Sequence, residues 1–194
     1  MRALFLSLLL IFAAPLGAHA DDRHARIHAA LEFIDNSGMW EATLLSVGDL
    51  GALVAAEFDG LAPDQSRDIR DLVNTAFGEQ HEGLRVVMAR VHADHLSVAD
   101  LESLNAMFLS PVGRQIAARV ARGQAITAAD EDAIMASLSP EDEALSQALF
   151  KGPAADRWNA IQPELQDDIE QESMIFSQRL IEGLLPEIRA ILYR

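Results

Sequence analysis

The sequence predicts an all-α protein, a mostly antiparallel helical bundle with short connections. Three observations carry this expectation. Beyond the first twenty residues, apolar side chains recur with helical period. No run of alternating β-branched residues reads as a strand. Helix-start chemistry recurs at Ser97, at the Ser110-Pro111 junction, at Thr127 and at Ser139-Pro140.

The N-terminus precedes the bundle. Met1-Arg2 is a short positive start, and Ala3 to Leu16 is almost unbroken apolar sequence. Pro15 and Gly17 interrupt it before Ala18-His19-Ala20, whose small residues mark a cleavage site after Ala20. A bilayer span needs about 20 residues, more than this run supplies. Residues 1–20 are therefore expected to be a signal peptide, and 21–194 a single helical domain exported to the periplasm, with no transmembrane segment. The mature chain would keep 174 of the 194 residues and carry a net charge of −16 in place of −15. Such an acidic chain repels nucleic acid and anionic lipid, because binding either begins with neutralising phosphates. With no cysteine, disulfides, thiolate chemistry and a lipidated N-terminus are excluded.

Taken in order, Ile27, Leu31 and Ile34 form a first stripe, ended by Asn36-Ser37-Gly38. Trp40, Leu44, Val47 and Leu50 to Val54 form a second, ended at Asp59-Gly60. Pro63 with Asp64 opens a third helix through Ile69, Val73 and Phe77, which Gly78 and Gly83 weaken before Leu84, Val87, Met88 and Val91. Ser97 and Asp100 form a capping-box variant, followed by Val98, Leu101, Leu104 and Phe108 on one face. Pro111 starts the next helix, with Val112, Ile116 and Val120 inward and Gly123 as its stop. Thr127 with Asp130 opens a short helix carrying Ile134, Met135 and Leu138. Ser139-Pro140-Glu141-Asp142 starts another. The longest stripe comes last, from Trp158 and Ile161 through Leu165, Ile169, Phe176, Leu180 and Leu184 to Ile188, with Asp167, Asp168, Glu170, Gln171 and Glu172 largely solvated and Pro163 and Pro186 expected to bound or kink it.

A shift of 42 residues superposes Leu96, Ser97, Asp100, Ala106, Phe108, Pro111 and Ala118 on Leu138, Ser139, Asp142, Ala148, Phe150, Pro153 and Ala160. Seven identities in 25 positions fit a duplicated helix-junction-helix unit, over about 96–120 and 138–162. Convergence of two well-capped amphipathic helices fits as well.

The Leu96 to Gln115 pattern, Leu-Ser-x-x-Asp-Leu-x-x-Leu-x-x-x-Phe-x-Ser-Pro-x-Gly-Arg, resembles the core motif of the bacterial domain of unknown function 2059 family. The resemblance implies an exported, all-helical envelope protein with a Phe helix, a Ser-Pro-x-Gly corner and a following helix. Those positions are Phe108, Ser110, Pro111 and Gly113. The chain departs from the family pattern by inserting Gln124 to Gly152 before its closing helix. The resemblance implies no catalytic residue and no cofactor. The motif positions also have a folding role: Phe108 is expected in the core, Pro111 sets φ, and Gly113 lets two helices approach.

Candidate chemistry begins with histidine. His24 and His28 lie four apart, and His92 and His95 three apart around Asp94, so each pair shares a helix face as metal ligands require. Neither has the His-Glu-x-x-His arrangement, and the mature third residue would be Arg23 rather than a copper-binding His. Asp21-Asp22, Asp130-Glu131-Asp132, Glu141-Asp142-Glu143 and Asp167-Asp168 are adjacent carboxylates, which diverge on a helix and so make no dyad. The chain contains no Gly-x-Ser-x-Gly elbow, Ser-x-x-Lys, glycine-rich phosphate loop or calcium loop. Arg85, Arg90, Arg114, Arg119 and Arg122 concentrate positive charge. They suit an anion or an acidic partner, or more simply helix ends and ion pairs.

These observations favour a non-enzymatic domain that binds a protein partner or an apolar ligand held between helices. The alternatives are an envelope hydrolase with His81, His92 or His95 as base beside a carboxylate, and a metal-binding periplasmic protein. A His within hydrogen-bond reach of a carboxylate in one buried cleft separates the hydrolase from the rest.

Overall fold

The computed structural model describes residues 16–194, so the expected leader, apart from its last five residues, lies outside the described residues. Among the described residues there are nine helices and no strand. They are α1 (Leu16–Ser37), α2 (Met39–Val47), α3 (Leu50–Ala56), α4 (Pro63–His95), α5 (Val98–Leu109), α6 (Pro111–Val120), α7 (Ala128–Ala136), α8 (Pro140–Phe150) and α9 (Pro153–Leu192). The expected all-α bundle is what forms.

Its axis is an antiparallel pair, α4 and α9, about 50 and 60 Å long at 1.5 Å per residue. Near the start of α4, the Gln65 side-chain amide donates to the Ile191 and Leu192 carbonyls, and Arg194 meets Asp68 at 2.9 Å. Midway, Gly83 faces the Phe176 ring. At the far end His95 meets Asp168 at 2.7 Å. Rising numbers in α4 thus meet falling numbers in α9. At one end of this pair Ile69, Val73, Ile188 and Ile191 are buried with Ala55 of α3. At the other, Leu84, Met88, Ala89 and Ala93 pack with Phe33 and Ile34 of α1, Leu101, Leu104 and Met107 of α5, and Ala154 and Ala155 of α9.

Three local expectations change. First, α4 runs unbroken through Gly78 and Gly83. A helix glycine costs about 1 kcal/mol relative to alanine, and burial of residues on both sides, from Ile69 to Ala93, offsets it. Second, neither Pro163 nor Pro186 ends α9. Both are exposed, so water can reach the carbonyl that each proline leaves without a helical donor. Third, the stripe from Trp40 to Val54 divides into α2 and α3. Gly48, at φ 55°, makes the break, and Asp49 caps α3 by accepting from the Ala52 N–H at 2.9 Å. Asn74 of α4 holds the break in place, donating to Asp49 and accepting from the Gly51 N–H, each at 2.8 Å. Met39–Ala56 has a mean hydropathy of 1.2 over 18 residues, the composition of a membrane span. The break leaves helices of 9 and 7 residues, each too short by itself for a hydrocarbon core of about 30 Å.

The α5–α6 corner turns on one residue. The Ser110 N–H donates to the Ala106 and Met107 carbonyls, closing α5. Its hydroxyl accepts from the Gly113 N–H at 3.1 Å, opening α6, and donates to the Met107 carbonyl at 2.6 Å. Pro111 is the first helical residue. A Cβ on Gly113 would fall on the Met107 carbonyl oxygen and 2.5 Å from the Phe108 Cα. Phe108 does not fill the core as expected: Leu101, Leu104 and Met107 take the buried face, and Phe108 is half-buried with its ring 5.7 Å from that of Phe33.

Candidate functional site

The five histidines whose side chains are described separate into four environments. His24 and His28 are exposed on α1, lining a shallow cleft with Glu32 and Glu102. Among the described residues no three His or carboxylate side chains gather to hold a metal ion. His81 stacks on Trp40 at 5.9 Å, with Nδ1 2.7 Å from the Gly78 carbonyl. His92 is fully buried, stacked on Trp158 at 5.5 Å and edge-on to Phe33 at 5.6 Å. Its Nδ1 lies 2.7 Å from the Met88 carbonyl, an acceptor, so Nδ1 carries the proton and Nε2 is left without a partner. Burial is the main force holding His92 neutral, pushing its pKa down to about 4, and the nearby charge of His95 acts the same way. A neutral ring inside an aromatic cluster is core.

Among the described residues, His95 is the histidine within hydrogen-bond distance of a carboxylate in a cleft; His28 and Glu32 stand 3.8 Å apart. The His95 Nε2 lies 2.7 Å from Asp168 Oδ2, in an open pocket of about 390 Å3 between α1, α4 and α9. Asp168, expected in solvent, is thus half-buried against α4. Arg23, Arg90 and Arg179 line the same cleft with Asp94 and Glu172. The pair is a base oriented by an acid, but no Ser or Thr appears in the lining to serve as a nucleophile. The expected arginine concentration disperses. Arg85 grips Asp35 with both carboxylate oxygens at 2.7 Å, and Arg119 pairs with Asp130 at 2.8 Å. Hydrogen bonds from Thr127, with Arg119 behind them, hold the Asp130 carboxyl below its ordinary range. Ion pairing therefore accounts for Arg85 and Arg119.

The second cleft was not signalled by any motif. Within residues 124–152, α7 and α8 pack beside α6, leaving a groove of about 380 Å3 lined by Val112, Ile116, Ile134, Met135, Ser146, Gln147, Phe150 and Lys151. Most of that lining is apolar. Ser146 is 2 % exposed, and its hydroxyl has no hydrogen-bond partner. An unsatisfied buried hydroxyl costs about 1–3 kcal/mol. The 42-residue shift places Ser146 opposite Leu104, which is 1 % exposed in the core. The first unit closes with an isobutyl group where the second has a small side chain, an unpaired oxygen and a groove. The signal was in the shifted alignment, at a position where the two units differ.

The four motif residues stay together at the α5–α6 corner. Val112, between Pro111 and Gly113, reaches the groove. Comparisons with protein-family models, with curated proteins and with solved structures return no match.

Proposed function

We propose that this is an exported, non-enzymatic helical protein that holds an apolar ligand in the groove between α6, α7 and α8. The observation that carries this reading is Ser146, a buried hydroxyl without a partner, placed where the sister unit has a core leucine. A side chain that only filled space would be apolar there, and one that only made a local bond would reach a carbonyl. The size of the groove lies within the usual range for small-molecule sites, about 300–1,000 Å3. The resemblance of Leu96 to Gln115 to an exported envelope family agrees with export and leaves the inserted α7 and α8 to supply what is particular to this chain.

Ser146→Leu tests the reading. It restores the side chain of the first unit, so it should raise the melting temperature by several degrees while closing the groove. Native mass spectrometry of the protein purified from its own cells should show a small apolar adduct on the wild type and none on the variant. A bare wild-type chain, or an adduct that Ser146→Leu retains, overturns the proposal.

A further inference from the structure

The lining of the groove is selective in charge. Its polar groups are the Ser146 hydroxyl, the Gln147 side-chain amide, whose N–H already donates to Glu143 at 3.1 Å, and the Lys151 ammonium; only the ammonium is a donor that cannot also accept. Among the described residues that line it there is no carboxylate. Each of the other four described clefts has at least one: Asp94, Asp168 and Glu172 in one, Glu32 and Glu102 in another, and Asp68 or Asp22 in the remaining two. Acids outnumber bases 30 to 15 in this chain, so a groove whose one charge among the described lining residues is a cation runs against composition. Lys151 is the chain's only lysine, and it caps α8 at the rim. A cation at a helix C-terminus also complements the helix dipole; here it is also the one formal charge among the described lining residues.

We infer that the ligand is an anionic amphiphile, an aliphatic carboxylate. Its chain lies on Val112, Ile116, Ile134, Met135 and Phe150, and its head meets the donors along α8. This deepens the reading above and rests on the groove being a ligand site. A carboxylate is ionised at neutral pH, so it carries the charge opposite to Lys151 and can accept from that ammonium and from the Ser146 hydroxyl. Lysine offers a compact, strongly hydrated charge on a flexible stem, suited to a head group that stays at the water's edge while the tail is buried.

The test is calorimetric titration of the purified protein at pH 7 with three probes of equal chain length, decanoate, decanol and decyltrimethylammonium, each below its aggregation threshold. Decanoate should bind about ten-fold more tightly than decanol, and the cation should bind more weakly than either. Lys151→Met, at an exposed position, should lower decanoate to the level of decanol and leave decanol unchanged. Equal affinities for decanoate and decanol, or a preference that survives Lys151→Met, overturn the anionic ligand while leaving the groove standing. If none of the probes binds, or Ser146→Leu binds them as well as the wild type does, the groove fails as a site and the inference fails with it.

Discussion

The α5–α6 and α8–α9 corners begin from nearly the same sequence and end as different objects. Both open on a serine that accepts from the N–H three residues on and donates to that residue's carboxylate: Ser97 with Asp100 at 2.7 Å, and Ser139 with Asp142 at 2.8 Å. Both close one helix and start the next with a proline at its first position. They part at three aligned pairs. Ser110 caps α6 with its hydroxyl, whereas Gly152 offers α9 no side-chain cap. Gly113 admits the α5 backbone, whereas Ala155 does not need to. Leu104 fills the core, whereas Ser146 borders a groove. The first corner leans on α1 and is packed on its inner face; the second buries Ala154 and Ala155 in the same core against α5, but borders the groove beside α6 and α7. A shared cap pattern therefore specifies where helices begin, and the small side chains between the caps decide whether the corner is scaffold or site.

The largest expected effect separates the two corners at their glycines. Gly113→Ala gains helix propensity but drives its Cβ into the Met107 carbonyl. Overpacking against backbone should prevail and cost about 3 kcal/mol. Gly152→Ala places its Cβ 3.0 Å from the Ala148 carbonyl at a φ of −82°, open to any residue. It should change stability by well under 1 kcal/mol. Urea unfolding of both variants checks this, and equal losses would remove the distinction between a close-packed and a loose corner.

Acid should also find the first corner before the second. Phe108 packs on Phe33, and Phe33 on His92 and Trp158, so one buried imidazole underlies that corner. The pKa of His92 is depressed in the fold, from 6.5 to about 4. Between those values the unfolded chain binds a proton that the native ring refuses. Stability is therefore lost as pH falls from 6.5 towards 4, by about 3 kcal/mol in all, and the loss levels off below. His92→Phe keeps an aromatic ring in the cluster and cannot titrate. Its unfolding free energy should lack the slope over that interval. An identical slope in wild type and variant would place the acid sensitivity elsewhere.

The helices were legible in the sequence because caps and stripes are local. Ser97, Ser110, Thr127 and Ser139 each cap where expected. What escaped depends on distant partners. Phe33 is wholly buried, yet the first stripe was drawn through Ile27 and Leu31, which are only half-buried. The break at Gly48 is held by Asn74, 25 residues from Asp49, and no local pattern announces it. Asp168 reads as one of a solvated pair until α4 brings His95 to it across 73 residues. Ser146 shows only as a mismatch to Leu104, and a mismatch in an imperfect repeat carries no meaning until burial shows that the position is interior.

The smallest effect tests the caps themselves. Asp100 is buried at the start of α5 and clamped by Arg157 of α9, whose Nε lies 2.8 Å from Oδ1. That hydrogen bond, with those from Ser97, holds the Asp100 carboxyl below its ordinary value of 3.8. A depressed carboxylate contributes stability above its unfolded pKa and loses that contribution as pH falls below it. Arg157 is 55 % exposed, and water screens the pair. Asp100→Asn should therefore cost about 1–2 kcal/mol at pH 7, less than a fully buried pair would. Asp142 makes the same bonds to its serine but is only half-buried and pairs with no arginine among the described residues, and Asp142→Asn should leave the urea midpoint where it was. If the two variants lose stability equally, the arginine clamp contributes nothing beyond a helix cap, and the corners differ only in how closely their backbones pack.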